Sequence, residues 1–214
     1  MATIDSGERA SLAGLRVTGQ TLLMVAFTLV ETLALGLWLT LVESAAVISA
    51  ASAVGLGVLA FGLVLEHVLT DATVNGVTAS ALPDGQVVGL SVSEALLWVL
   101  WLGVAERLGG VDGILVAGAL FAVLLVPQHT IEDNVLRDAD PFQSVIDIGT
   151  LGFSVVEAVG ATVWLLLVFE GAQFRGVLAT VGLGGVDPAA VGLGALAVFL
   201  LVEHDIGVAL ARAG

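Results

Sequence analysis

The chain has 214 residues, of which 58% are hydrophobic and only 12% are charged, and its mean hydropathy is +1.08. A soluble domain carries roughly 25% charged residues and could not bury so many apolar side chains in one core, so the composition indicates a membrane protein and excludes soluble enzymes. The 20 acidic and 6 basic residues give a net charge of -14, which excludes binding to a nucleic-acid phosphate backbone.

The residue types that are missing narrow the chemistry further. Every basic residue is Arg, so no lysine can form a Schiff base with a cofactor. The absence of Cys excludes disulfides, thiolate metal sites and iron–sulfur clusters. Acidic connections, abundant Ala, Val and Gly, and Arg without Lys resemble the composition of proteins from salt-loving archaea, an analogy that says nothing about activity.

The chain begins with a polar segment of mixed charge, residues 1–16, which does not resemble a cleaved signal peptide. A helix needs ~20 mostly apolar residues to cross a bilayer. The sequence predicts six such spans, near 17–42, 46–70, 87–105, 113–131, 146–169 and 188–211. The more polar connections, 71–86 and 132–143, separate three helical hairpins. We therefore expect one all-α, polytopic membrane domain covering residues 1–214.

Several local signals mark helix ends and orientation. Asp187 followed by Pro188 predicts a helix start, Asp112 lies at the corresponding place one hairpin earlier, and Pro127 is expected to kink the fourth span. Four arginines fall on the side of the termini and two on the side of the hairpin turns. This distribution predicts a multi-pass protein of the cell membrane with cytoplasmic termini. The arginines are Arg9, Arg16, Arg137 and Arg212 against Arg107 and Arg175.

The most informative feature is a threefold internal repeat. Glu31, Glu94 and Glu157 lie in the first, third and fifth spans, and 63 residues separate each from the next. Each has a hydroxyl residue three positions earlier (Thr28, Ser91, Ser154) and a tryptophan seven positions later (Trp38, Trp101, Trp164). The even-numbered spans each carry a histidine near their end (His67, His129, His204), preceded by Glu66, Gln128 and Glu203. The repeats cover approximately 17–72, 80–135 and 143–211, which predicts three hairpins around a pseudo-threefold axis.

The repeated residues predict a central polar site. The hydroxyl, carboxyl and indole share one helical face, and a charge at mid-membrane costs ~2.5 to 3.5 kcal/mol, so this face should point into the bundle. Counted from the hairpin turns, the glutamates and histidines lie within about one helical turn of the same depth. We predict that Glu31, Glu94, Glu157, His67, His129 and His204 meet there.

Three carboxylates in a low-dielectric site repel one another, so protons, imidazolium groups or a bound cation must compensate their charge. Imidazole and carboxylate together suit Zn, Fe, Mn or Cu. We expect each hydroxyl to orient the glutamate one turn away, and Glu66, Gln128 and Glu203 to form an incomplete second polar ring.

Plainer interpretations stay open at this point. The glutamates could be structural hydrogen-bonding groups, and the histidines could cap helix ends near the membrane surface. The three repeated tryptophans are expected to anchor the helices at the membrane interface. Asp71, Glu132 and Asp133 are expected in solvated loops. Glycines in the even-numbered spans are expected to permit close helix packing; they are Gly55, Gly57, Gly62, Gly113, Gly118, Gly192 and Gly194.

Three classes of function fit these observations. The site could transport a divalent or transition metal ion, with protons exchanged for the cation. It could instead belong to a membrane-embedded metalloenzyme or oxidoreductase that acts on a small or lipid-soluble substrate. Alternatively, the chain could be a structural or accessory subunit. The expected partners are the lipid bilayer, a metal ion or protons, and a second copy of the chain or a membrane complex.

Overall fold

The computed structural model describes residues 6–46, 48–76, 83 and 85–213. Within these residues the chain forms seven helices, and six of them contain a segment long and apolar enough to cross a membrane. The all-helical expectation is therefore confirmed, and six helices could span a membrane as a multi-pass protein requires. The helices are α1 (Ser6–Val42), α2 (Ala50–Asn75), α3 (Gly85–Leu108), α4 (Gly110–Leu136), α5 (Ile148–Phe169), α6 (Gly171–Thr180) and α7 (Pro188–Ala213).

The six long helices form a closed ring. Around the ring the helices follow the order α1, α2, α3, α4, α5 and α7, and each packs against the next. Helix α7 then packs against α1, which closes the ring. Helices α2, α4 and α7 also contact one another, so they lie closest to the centre of the bundle. This arrangement directs one face of every long helix into a shared interior and leaves the apolar opposite faces for lipid.

Several predicted boundaries were wrong. Helices α2 and α4 continue past the first charged residues at their ends, so Asp71, Glu132 and Asp133 are helical and half-buried instead of lying in solvated loops. A helix can extend beyond the hydrocarbon layer, and charges are tolerated there. The predicted polar segment 1–16 is helical from Ser6, while residues 1–5 lie outside the described residues.

The connections also differ from expectation. The connection expected between the spans 87–105 and 113–131 shrinks to Gly109, whose φ of 73° favours glycine. Asp112 therefore lies in the first turn of α4 instead of capping it. The long turn after α5 contains the short helix α6. Asp187 does cap α7, since its Oδ1 accepts a hydrogen bond from the backbone N–H of Ala189 at 3.1 Å. Helix α4 runs unbroken through Pro127.

The tryptophans lie in the core and not at the membrane interface. Trp38, Trp101 and Trp164 are only 2%, 1% and 2% exposed, which overturns the prediction that they anchor the helices at the lipid surface. The Trp101 and Trp164 rings stack with centroids 6.2 Å apart, and Trp98 packs edge-on against Trp101 at 5.3 Å. Because the indoles share the inward face with the glutamates, together they form an aromatic layer on the hairpin-turn side of those carboxyl groups.

Glycine permits close helix contact at most of the predicted positions. A Cβ atom added at Gly62 would lie 2.2 Å from the Cβ of Ala34, and one at Gly118 would lie 2.1 Å from Thr162 Oγ1. Gly55, Gly113 and Gly192 are similarly tight, with nearest atoms at 2.8 to 3.0 Å. Gly57 and Gly194 have no such neighbour within 4 Å, so the packing prediction is wrong for those two.

Candidate metal centre

Three glutamates from three helices meet in the interior of the bundle. Glu31 on α1, Glu94 on α3 and Glu157 on α5 are 2%, 8% and 2% exposed. Each offers one carboxylate oxygen to a group whose atoms all lie within 4.8 Å of one another. Two ligands of one cation at about 2.0 to 2.6 Å are at most about 5 Å apart, so this spacing suits a shared ion.

Each histidine faces one of these glutamates across a helix interface. His129 Nε2 lies 3.0 Å from Glu157 Oε2, His204 Nε2 lies 3.2 Å from Glu31 Oε2, and His67 Nε2 lies 3.7 Å from Glu94 Oε2. The six side chains that the repeat pattern singled out are therefore in one buried cluster. The histidines do not lie at exposed helix ends, because all three are less than 10% exposed.

Two further carboxylates join the cluster. Glu66 Oε2 lies 2.9 Å from His67 Nδ1 and Glu66 Oε1 lies 3.7 Å from His204 Nε2. Glu203 Oε2 lies 3.2 Å from His204 Nε2, and its Oε1 lies 3.9 Å from His129 Nε2. Five carboxyl groups thus surround three imidazoles, and full protonation of the imidazoles would still leave negative charge uncompensated.

Gln128, at the place equivalent to Glu66 and Glu203, does not join them. Its amide accepts a hydrogen bond from Ser93 at 2.7 Å and donates one to the Leu90 carbonyl at 3.1 Å. These contacts hold the side chain between α3 and α4. The second polar ring is therefore incomplete, as its sequence predicted.

The repeated hydroxyls contact the histidines and not the glutamates. Ser154 Oγ lies 2.8 Å from His129 Nδ1, and Thr28 Oγ1 lies 2.9 Å from His204 Nδ1. Ser91 Oγ lies 3.3 Å from His67 Nδ1. The prediction that each hydroxyl orients the glutamate on its own helix is wrong, because the hydroxyl points across the interface to the neighbouring helix.

These contacts determine which imidazole nitrogen carries the proton. The Ser154 hydroxyl donates its only hydrogen to the Thr150 carbonyl at 2.8 Å, so it can only accept from His129 Nδ1. Thr28, which donates to the Met24 carbonyl at 2.9 Å, acts in the same way on His204. His67 Nδ1 lies 2.8 Å from the Leu63 carbonyl, which can only accept. In its neutral form each imidazole therefore carries its proton on Nδ1 and directs an unprotonated Nε2 toward the glutamates.

The hydrogen-bonding capacity of the cluster is not satisfied by the protein. Among the described residues, four buried side-chain atoms make no hydrogen bond: Glu31 Oε2, Glu157 Oε1, His67 Nε2 and Trp101 Nε1. Glu31 Oε2 lies at ion-pair distance from His204 Nε2, but without hydrogen-bond geometry. Three of the four belong to the Glu/His cluster, and all three can bind a cation. Buried unpaired polar atoms are costly and rare, so their concentration here points to a ligand or to protons.

A small cavity lies beside the cluster, on the side of the chain termini. It holds about 20 Å³, which is room for one water molecule, and His129, Glu203 and His204 line it. Glu132 and Thr70 line it as well, and Thr70 donates a hydrogen bond of 2.6 Å to Glu66. Sequence reasoning missed both residues in this role, although each lies three positions after a repeated histidine and so shares its helical face.

Comparison with known proteins does not add a functional assignment. No protein family, no curated protein and no solved structure matches the chain. The chain is thus a helical protein of membrane-spanning character with buried Glu and His groups that could hold a metal ion.

Proposed function

We propose that this protein is a multi-pass protein of the cell membrane that binds a divalent or transition metal ion at the Glu/His cluster and exchanges it for protons during transport. The observation that carries the proposal is the meeting of Glu31, Glu94 and Glu157 within 4.8 Å while buried Glu and His atoms lack hydrogen-bond partners. A cation of the Zn, Fe, Mn or Cu group would satisfy those atoms and offset the repulsion between the carboxylates.

The contacts between hairpins support a pseudo-threefold arrangement of three repeats around this site. Each histidine contacts the hydroxyl and the glutamate of the next hairpin: His67 meets Ser91 and Glu94, His129 meets Ser154 and Glu157, and His204 meets Thr28 and Glu31. Near the termini, side chains bond to carbonyls in the same cyclic order, from Asn75 to Leu136, Arg137 to Leu210, and Arg212 to Thr73. A closed cycle of equivalent contacts is what a repeat around an axis requires.

The direction of access supports exchange with one side of the membrane. The cavity at His129 and His204 opens toward the C-terminal ends of α4 and α7, where Leu136 and Gly207 line it. The arginine distribution supports a cytoplasmic location for this side. Glu132 at the cavity can accept either a proton or a cation, so it is suited to pass both to the cluster.

A membrane metalloenzyme is the second candidate, and the aromatic layer favours it. Trp98, Trp101 and Trp164 are buried and pack against one another on the hairpin-turn side of the glutamates. A permanently held metal reached from one side would suit catalysis on water, oxygen or a small substrate. Transport requires this aromatic layer to open in a second conformation.

Metal analysis of the purified protein tests the proposal. The native protein, Glu157→Gln and His129→Ala are equilibrated with Mn²⁺ or Zn²⁺, and the bound metal is measured by mass spectrometry at several pH values. Glu43→Gln, which removes an exposed carboxylate just after the helix that carries Glu31, is the matched control. We expect reversible binding that weakens on acidification, is lost in both cluster variants and is retained in the control.

Flux separates the two candidates. In proteoliposomes with an acidic interior, transport predicts Mn²⁺ uptake driven by the pH gradient, abolished in Glu157→Gln and retained in Glu43→Gln. One tightly held redox metal with no flux would instead establish the metalloenzyme. A folded native protein that binds no metal would refute both candidates and favour a structural role.

A further inference from the structure

The Glu/His cluster contains two distinct groups of ligand atoms. One group consists of Glu31, Glu94 and Glu157, and the other of Glu66, His67 and Glu94; within each group the ligand atoms lie within 4.8 Å of one another. Glu94 is the only member of both groups. A carboxylate has two oxygens and four lone-pair positions, so it can bind two cations at once.

We infer that the centre binds two cations, at an all-oxygen position and at a mixed nitrogen and oxygen position, with the Glu94 carboxylate as the bridge. This inference rests on the proposed metal-binding function and specifies the site further. Bridged pairs of metal ions ~3.5 to 4 Å apart are well suited to sharing one carboxylate.

Each position has its own unpartnered ligand atoms. Glu31 Oε2 and Glu157 Oε1 belong to residues of the all-oxygen group, and both residues are 98% buried. His67 Nε2 belongs to a residue of the mixed group, in a side chain that is 96% buried. The orphaned atoms are thus divided between the two groups, which a single cation at either position would leave partly unsatisfied.

The charge of the cluster also favours two cations. A coordinating imidazole is neutral, so once the five carboxyl groups around the histidines release their protons to bind metal, they carry the full charge of the centre. One divalent cation compensates two of those charges, whereas two cations compensate four and leave a single excess carboxylate that one proton can neutralise. In a buried site the more nearly neutral arrangement is strongly preferred.

The ligand sets predict different metal preferences. The all-oxygen position suits hard cations such as Mg²⁺ and Mn²⁺, and the imidazole of His67 makes the mixed position better suited to Zn²⁺ and Fe²⁺. The tautomer supports this role, because the Leu63 carbonyl holds the His67 proton on Nδ1 and leaves Nε2 free to coordinate. Mn²⁺ accepts both ligand sets and is therefore the appropriate probe.

The stoichiometry of Mn²⁺ binding tests the inference. Native protein in lipid nanodiscs is dialysed to equilibrium against Mn²⁺, bound metal is counted per chain, and electron paramagnetic resonance spectra are recorded. We expect two Mn²⁺ per chain and the spectrum of a spin-coupled pair. Glu66→Gln should retain one Mn²⁺ with an uncoupled spectrum, while Glu94→Gln should weaken both positions by at least about tenfold. Glu43→Gln should behave as the native protein does.

Every outcome decides the question. A native stoichiometry of one would overturn the cation pair and leave the proposed function standing, whereas a stoichiometry of zero would overturn both. Two uncoupled ions, or a Glu66→Gln variant that still binds two, would overturn the assignment of Glu94 as the bridge and of Glu66 as a ligand. Because the native protein alone gives the stoichiometry, the test does not depend on the folding of any variant.

Discussion

Removing one hydroxyl group tests whether the hydroxyl contacts prepare the histidines for metal binding. Ser154 is fully buried and accepts a hydrogen bond from His129 Nδ1 at 2.8 Å. In Ser154→Ala that nitrogen loses its acceptor in a side chain that is 95% buried. The imidazole must then keep an unpaired Nδ1 proton or move the proton to Nε2, where it competes with the metal ion.

The expected loss of metal affinity follows from the hydrogen bonds of each histidine. An unsatisfied buried donor costs ~1 to 3 kcal/mol, and loss of a partner that orients a metal ligand typically weakens metal binding by 10- to 100-fold. We expect a loss in that range for Ser154→Ala. Ser91→Ala should lower the metal affinity much less, by about threefold or below. His67 Nδ1 keeps its contact with the Leu63 carbonyl at 2.8 Å, whereas the Ser91 hydroxyl lies 3.3 Å from that nitrogen.

Competition between the protein and a fluorescent chelator for Zn²⁺ measures both losses at fixed pH. Ser93→Ala is the matched control, since the Ser93 hydroxyl bonds to Gln128 outside the cluster, and its affinity should equal that of the native protein. Unchanged affinity in Ser154→Ala would refute the reasoning. An equal loss in Ser91→Ala and Ser154→Ala would show that the tautomer argument is wrong even if the residues matter.

Two further predictions concern packing and access. Gly62→Ala places a Cβ 2.2 Å from that of Ala34 and should destabilise the protein by ~1 to 3 kcal/mol. Gly57→Ala, in open space on the same helix, should be neutral or stabilising by up to ~1 kcal/mol. Unfolding in mixed micelles measures both changes, and equal effects would contradict the α1–α2 contact. Glu132→Gln should slow metal entry and release in a stopped-flow chelator chase, while Glu43→Gln should not, and unchanged rates would show that metal does not pass the cavity at Glu132.

The inward face and the depth of the site could be predicted from sequence because both depend on a single helix. Positions −3, 0 and +7 relative to each repeated glutamate define one helical face, and the rise per residue gives the depth of a side chain. Both predicted that Glu157 and His129 lie together, and their Oε2 and Nε2 atoms are 3.0 Å apart. Helix periodicity does not say how two helices are rotated against each other. For that reason the contact of Ser154 with the histidine, instead of the glutamate, required the structure.

The errors have a common physical cause, since each followed a general preference that packing overrides. Tryptophan prefers membrane interfaces, yet Trp38 and Trp101 share the buried face of the glutamates and fill the core there. A charged residue suggests a helix end, yet Glu132 continues α4 and reaches the cavity. In both cases the face on which a residue lies was a better guide than its residue type.

Gln128 shows how departure from the repeat shapes the centre. A glutamate there could not donate a hydrogen bond to the Leu90 carbonyl, so the amide is required for the contact between α3 and α4, and the cluster has five carboxylates instead of six. His129 is therefore preceded by an amide, whereas His67 is preceded by the carboxylate of Glu66. Three equal mixed positions are thereby excluded, because a glutamate precedes the repeated histidine only at Glu66 and Glu203. A repeated scaffold supplies the shared carboxylates, while one amide makes the centre asymmetric, which selective binding of two unlike cations requires.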